Sequence, residues 1–191
     1  LLKGRQTGRG GIIDVSLYET AMSWMQMPMA AVLASGKAPG RYGMRGPAGL
    51  APNRDYRAAD GDIIITAGTN KQFAMLCRAL GHPEWADDER FASSALRSRH
   101  EKELSALLGG VLITHSRAEW EVELNKAGVP CAAVHTPVEA LAHPQVKASG
   151  IVQGAIDGSS PQVMLPVKFN HVRPAYRHRA PRLGEHNDLL K

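Results

Sequence analysis

The sequence predicts an α/β chain, and three observations carry that expectation. Four S/T-x-x-E/Q patterns, at Ser16 and Glu19, Thr69 and Gln72, Ser116 and Glu119, and Thr136 and Glu139, have the spacing of helix-starting capping boxes. "DIIITA" at 62–67 is a short β-branched run behind a glycine, as a buried strand requires. Beyond Gly150 the helical spacing gives way to "IVQGAI" and "QVMLPVKF" around "DGSSP", which reads as two strands about a turn.

The elements follow in order. "TGRGG" at 7–11 leads into the strand-like "IIDV", the reverse of a phosphate loop's order, and reads as a turn before a strand. A long helix is expected over 16–35, kinked at Pro28 and stopped by Gly36 and Pro39. Its "AMSWMQMPMAAVLA" is apolar on nearly all sides, so it is expected to be buried. After the 62–67 strand comes a helix over 70–80, with Phe73, Leu76, Cys77 and Leu80 on one face and Gly81 as its stop. This places Cys77 in the core. A third helix, 94–108, carries Leu96, Leu104, Leu107 and Leu108; a fourth, 117–127, carries Trp120, Leu124 and Ala127 before Gly128. "VPCAAV" is a short strand, "PVEALA" a short helix with proline in its first turn, and the tail ends in a short helix. His82-Pro83 and His143-Pro144 follow helix ends and read as stop signals.

Composition narrows the function classes. The 191 residues, 43% hydrophobic and 21% charged, suit one globular domain or one and a half. No apolar run reaches the ~18 residues of a membrane span, and the start lacks the apolar core of a secretory leader. Beginning without Met, the chain is expected to be a piece of something longer. The net charge of +5 favours an anionic ligand only mildly. Cys77 and Cys131 form no C-x-x-C, which argues against a disulfide scaffold or zinc module and fits a reducing cytosol. The eight histidines show no H-E-x-x-H spacing, so no metal is assigned, and "DDERF" at 87–91 reads as a solvated loop. G-x-S-x-G, the Walker loop and a G-x-G-x-x-G opening a helix are all missing. The basic stretch 168–182, with Lys168, Arg173, Arg177, Arg179, Arg182 and Tyr176, has the residues to track a polyanion but is broken by prolines. It reads rather as a solvated or interface-facing segment.

One stretch resists a scaffold reading. "RYGMRGPAGLAPNRDYRAADGD" at 41–62 is rich in glycine and lies between a helix and a buried strand. Bare backbone of this kind suits a flap over a site or a plain linker, and composition does not choose.

Motifs add what spacing does not. "TGRGGIIDVSLYETA", "YRAADGDIIITAGTNKQFAMLCRALGHPE", "SRAEWEVELNKAGVPCAAVHTPVEALAHPQVKASGIV" and "APRLGEHNDLL", in this order, resemble segments of the C-terminal half of class III coenzyme A transferases. That family includes formyl-CoA and carnitine CoA-transferases and, as a relative, α-methylacyl-CoA racemase. The resemblance implies an interlocked, cytoplasmic homodimer with a Rossmann-like large domain. Residues 1–38 would be the end of that domain and a linking helix, 39–150 a small α/β domain with a glycine-rich flap, and 151–191 strands returning to the large domain. It implies transfer of coenzyme A between carboxylic acids through an aspartyl mixed anhydride and an enzyme–CoA thioester. The CoA thioester is substrate, with no covalently bound cofactor, no nucleic acid and no membrane as partner. The flap falls on Gly46, Pro47, Ala48 and Gly49, which become the substrate-binding residues; Pro47 and Ala48 replace part of the family's glycine run. The nucleophilic aspartate is expected upstream of residue 1, Asp14 being structural, so the 191 residues alone are expected to be inactive. Two alternatives stand: an acyl-CoA racemase, which tends to place a glutamate near the position of Asn70, and a non-catalytic interaction module binding polyanions through 168–182.

Overall fold

The computed structural model describes residues 2–38, 40, 43–45, 50–154, 159–175 and 177–190. The chain divides into two compact units, 1–47 and 48–191.

The first unit holds α1 (Leu2–Thr7), α2 (Leu17–Trp24) and α3 (Gln26–Ser35). Helix α1 was not expected; it ends where the Gly8 N–H donates to the Gly4 carbonyl at 2.9 Å, with Gly8 at φ +67°. The expected strand at "IIDV" does not form: residues 11–16 have no regular structure, and Ile12 and Ile13 are exposed. Apolar alternation needs a neighbouring strand to become a ladder, and among the described residues none pairs with it. The expected 16–35 helix exists as two helices rather than one kinked at Pro28. The break falls at Met25, directly after Trp24, because the Pro28 ring clashes with the carbonyl of residue i−4, which is Trp24. Ser16 caps α2 by accepting from the Glu19 N–H at 3.4 Å, and Gly36, at φ +67°, closes α3.

The expectation that this helix is buried is also corrected. No described residue of α2 or α3 is buried, and Trp24 and Leu33 stand almost fully open, at 86% and 87%. A helix apolar on all sides needs cover on all sides, and the described residues do not supply it.

The second unit is organised by a three-stranded antiparallel sheet in the order β1 (Asn53–Arg57), β2 (Asp62–Thr66) and β3 (Cys131–Ala133). Strand β1 was not anticipated. "NRDYR" has little apolar pattern, and its pairing, with Tyr56 opposite Ile63 and Arg54 opposite Ile65, is set by β2. On β2, Ile63 and Ile65 point into the core. β3 closes the other edge, with Ile63 opposite Ala133 and Ile65 opposite Cys131.

Four helices cover the sheet. In α4 (Asn70–Ala79), Phe73, Leu76 and Cys77 are buried as the spacing predicts. The expected 94–108 helix is split by His100 into α5 (Ser94–Arg99) and α6 (Glu101–Leu112), the latter reaching four residues further. His100 stands at the N-cap of α6 without a side-chain cap: its carbonyl accepts from the Leu104 N–H at 3.0 Å, and its ring Nδ1 lies 3.0 Å from Glu103 Oε1. Helix α7 (Arg117–Lys126) buries Trp120 and Leu124. The Trp120 indole N–H donates to the Leu112 carbonyl at 2.7 Å, tying α7 to the end of α6. Leu104, Leu108, Leu112 and Phe91 complete the core.

Past the sheet lie α8 (Pro137–Ala142) and α9 (Pro144–Ser149). Helix α9 was missed, because His143-Pro144 reads as a stop. It is equally a start: His143 Nδ1 accepts from the Gln145 N–H at 3.1 Å, with Pro144 in the first turn. The two strands expected after Gly150 form a hairpin of two-residue pieces, β4 (Val152–Gln153) and β5 (Gln162–Val163), and the tail ends in a single 3-10 turn, Asn187–Leu190. No helix among the described residues is long and apolar enough to cross a membrane.

Truncating the fully buried Leu108 to Ala is expected to cost about 2–5 kcal/mol, through lost transfer energy and the cavity left behind. Val122→Ala, at an exposed site, is expected to stay within about 0.5 kcal/mol of wild type. Urea midpoints at constant m-value measure both.

Candidate functional site

The four residues expected to bind substrate, Gly46, Pro47, Ala48 and Gly49, lie outside the described residues. The next described residue is Leu50. Ala51 and Pro52 are buried. The Pro52 carbonyl accepts from the Ala67 N–H at 2.9 Å, just past β2. Gly68 passes so close that a Cβ there would sit 3.4 Å from both the Cβ and the carbonyl oxygen of Leu50. The 50–52 run is thus laid against the β2–α4 turn.

A buried guanidinium holds these pieces together. Arg97, on α5, has no exposed surface. Its Nε donates to the Ala51 carbonyl (2.8 Å) and Nη2 to the Gly68 carbonyl (2.8 Å). Nη1 donates to the Phe91 carbonyl (2.9 Å) and to Asn70 Oδ1 (3.0 Å). The guanidinium lies 4.6 Å from the centroid of the Phe73 ring. Burial pulls its pKa down, and no carboxylate pairs with it among the described residues. The sequence reading missed Arg97 because arginine is expected outside. The signal was present: counting back seven from Leu104, on the stripe that continues to Leu108 and Leu112, lands on it.

Asn70, marked as the position of a racemase glutamate, is exposed at the first residue of α4 with its oxygen engaged by Arg97. Thr69 before it completes a reciprocal capping box with Gln72. Asp14 is exposed and in no strand.

A second polar cluster was also missed. Arg117 bridges Asp60 and Glu139: its backbone N–H donates to Asp60 Oδ1 (2.8 Å), Nη2 to Glu139 Oε1 (2.8 Å) and Nη1 to the Val134 carbonyl (2.6 Å). It lies across Gly61, where a Cβ would fall 2.7 Å from its Nε. The cluster lines a shallow hollow of about 290 Å³ that His135 and His143 also edge. Its charges are paired, and Glu121 Oε1 accepts from the Ala133 N–H at 2.8 Å, so these groups fasten α7 and α8 to the sheet. Among the described residues, no cluster of His, Cys, Asp and Glu is arranged to hold a metal.

The family model described as CoA-transferase family III matches residues 1–187. The chain belongs to CoA-transferase family III. A curated relative, the acetyl-CoA:oxalate CoA-transferase of Acetobacter aceti, is 33% identical over 190 residues, covering 97% of this chain and 47% of the relative. An acyl-CoA transferase of Fusarium pseudograminearum is 31% identical, covering 97% and 42%. Among solved structures, a CAIB/BAIF family protein from Brucella suis superposes with a TM-score of 0.85 at 33% identity, over 99% of this chain and 49% of that one. The family III chain thus spans about half the length of the relatives it matches.

The remaining sequence-marked residues that the structure describes have structural settings. Burial pushes the Cys77 thiol up to about 12, the setting of a packing residue. "DDERF", expected to be a solvated loop, is so only in part: Asp88 and Glu103 flank Arg90 at 2.7 and 2.8 Å near the surface, while Phe91 is buried in the core. In the basic tail, Arg173 donates to the Leu165 carbonyl, and Arg179 pairs with Glu185, an acid three residues beyond the basic run. Tyr176 lies outside the described residues.

The Arg117 guanidinium and the Thr136 N–H hold Glu139 down to about 2. A carboxylate depressed in the folded state contributes stability above its unfolded pKa of ~4.3 and loses it as pH falls toward 2. Glu139→Gln is therefore expected to flatten the fall in thermal midpoint between about pH 4.5 and 2, with the two proteins converging at the acid end.

Proposed function

We propose that the protein moves coenzyme A from an acyl-CoA to a free carboxylate. The supporting observation is the family III match across residues 1–187, together with relatives of about 30% identity named as CoA-transferases. In this reading an aspartate carboxylate attacks the acyl-CoA carbonyl carbon and the C–S bond breaks. CoA thiolate leaves a mixed anhydride, then attacks the aspartyl carbonyl, releasing the first acid and forming an enzyme–CoA thioester. The second carboxylate displaces the thiolate there, and the thiolate returns to the new acyl group. A carboxylate nucleophile thus divides one difficult exchange into four easier ones. No residue among 1–191 is assigned the nucleophile's role, so these residues alone are proposed to be inactive.

Gly46, Pro47, Ala48 and Gly49 are proposed to close over the acyl group and exclude water, in a small domain spanning 39–150. Residues 1–38 and 151–191 are proposed to join a large domain. The exposed apolar surface of α2 and α3 suits burial there or in an interlocked homodimer. Two free thiols suit a reducing cytosol. The racemase reading is the weaker one: it needs a base, whereas Asn70 presents an amide whose oxygen is already engaged by Arg97.

The test is to incubate the protein, expressed from its complete coding sequence, with an acyl-CoA and a second carboxylate. Acyl exchange is expected; deuterium wash-in at the α-carbon without exchange overturns transfer in favour of racemisation. Gly46→Val and Gly49→Val are expected to lower exchange on the order of 10-fold or more by displacing the substrate. Light scattering on the same preparation is expected to give twice the chain mass, and a monomer would remove the interlock.

A further inference from the structure

We infer that Arg97 is a positioning residue for the transfer reaction, acting through the exposed amide of Asn70. The inference rests on the transferase reading above. Its basis is an economy of charge. A cation with no exposed surface and no carboxylate partner among the described residues is costly to keep, and an apolar side chain of similar size fills such a site at less cost. What Arg97 does that an apolar residue does not is orient its acceptors.

Those acceptors come from three separated segments: Ala51, the Gly68–Asn70 turn, and Phe91. Three are backbone carbonyls. The fourth, Asn70 Oδ1, belongs to a side chain on the surface. A guanidinium only donates, so the oxygen of Asn70 faces inward and Nδ2 turns away from Arg97. The result is an exposed amide whose rotation is locked from beneath. It presents two N–H donors at the first turn of a ten-residue helix, where the partial positive charge of the helix end adds to them. Only Leu50 lies between Ala51, which the same guanidinium grips, and the 46–49 segment read above as substrate-binding. Donors held this way suit a carboxylate, the chemical class of the acceptor acid. Lysine would keep the charge but lose the planar fork that reaches four acceptors at once.

The experiment compares Arg97→Lys, Asn70→Ala, Asn70→Asp and the double variant Arg97→Lys/Asn70→Ala in the protein expressed from its complete coding sequence. The exposed Arg99→Lys, on the same helix, serves as control. KM for the carboxylate acceptor and kcat are read separately. Asn70→Ala is expected to raise that KM about tenfold with a smaller change in kcat, as loss of a hydrogen bond to a charged group requires. Asn70→Asp keeps the oxygen for Arg97 but removes the donors and adds repulsion, so KM is expected to rise further while the thermal midpoint holds. Arg97→Lys is expected to raise KM, and the double variant to be no worse than the poorer single one. Arg99→Lys is expected to match wild type.

Wild-type KM in both Asn70 variants overturns the inference, as do additive effects of Arg97→Lys and Asn70→Ala. Should Arg97→Lys fail to fold, the two Asn70 variants still decide, since Asn70 is exposed. Absence of acyl exchange in the wild-type protein overturns the transferase reading itself. Exchange in wild type with unaltered variants overturns only the role of Arg97.

Discussion

One buried cation organises the part of the molecule nearest the proposed substrate-binding segment. Arg97 joins the run before β1, the turn after β2 and the loop before α5 through four hydrogen bonds, with Phe73 against its face. None of these segments has a regular ladder of its own there. Their carbonyls would otherwise be buried without donors, a loss of about 1–3 kcal/mol each. Four good hydrogen bonds offset the desolvation of the cation without the full neutralisation an acid would bring. The guanidinium therefore stays electropositive, and what it touches inherits that polarity.

The sheet and its helices give this clasp a stable base. Ile63 and Ile65 from β2, Phe73 and Leu76 from α4, Leu104, Leu108 and Leu112 from α6 and Trp120 from α7 form one buried cluster. The reciprocal caps at Thr69, Ser116 and Thr136 satisfy donors that the first turns would leave open. Around that base the chain is less self-sufficient. The hairpin after Gly150 is only two residues long on each side, and the first unit leaves its most apolar helices uncovered. Those segments have the composition of a core without the neighbours of one.

Much of this was legible in the residues, and the reasons differ by element. α4, α7 and α8 were read correctly because capping boxes and apolar spacing act locally, within one turn. β2 was legible as an uninterrupted β-branched run. β1 was not, since "NRDYR" becomes a strand only by pairing with β2. The break before Pro28 was placed at the proline itself, whereas the steric clash acts on the carbonyl four residues back. His143-Pro144 was half legible: the same dipeptide that ends α8 begins α9. The family was readable from four motifs in order, and the match over residues 1–187 bears it out. Arg97 and the Asp60–Arg117–Glu139 bridge were invisible because their partners lie between 6 and 57 residues away in the chain.

That bridge also explains a glycine. Arg117 lies across position 61, where a methyl would fall 2.7 Å from its Nε. A side chain there would push the flexible guanidinium aside and loosen its hold on Glu139, while the Arg117 backbone N–H would still reach Asp60. The bare backbone at 61 thus serves the charge laid over it rather than a special conformation of its own turn.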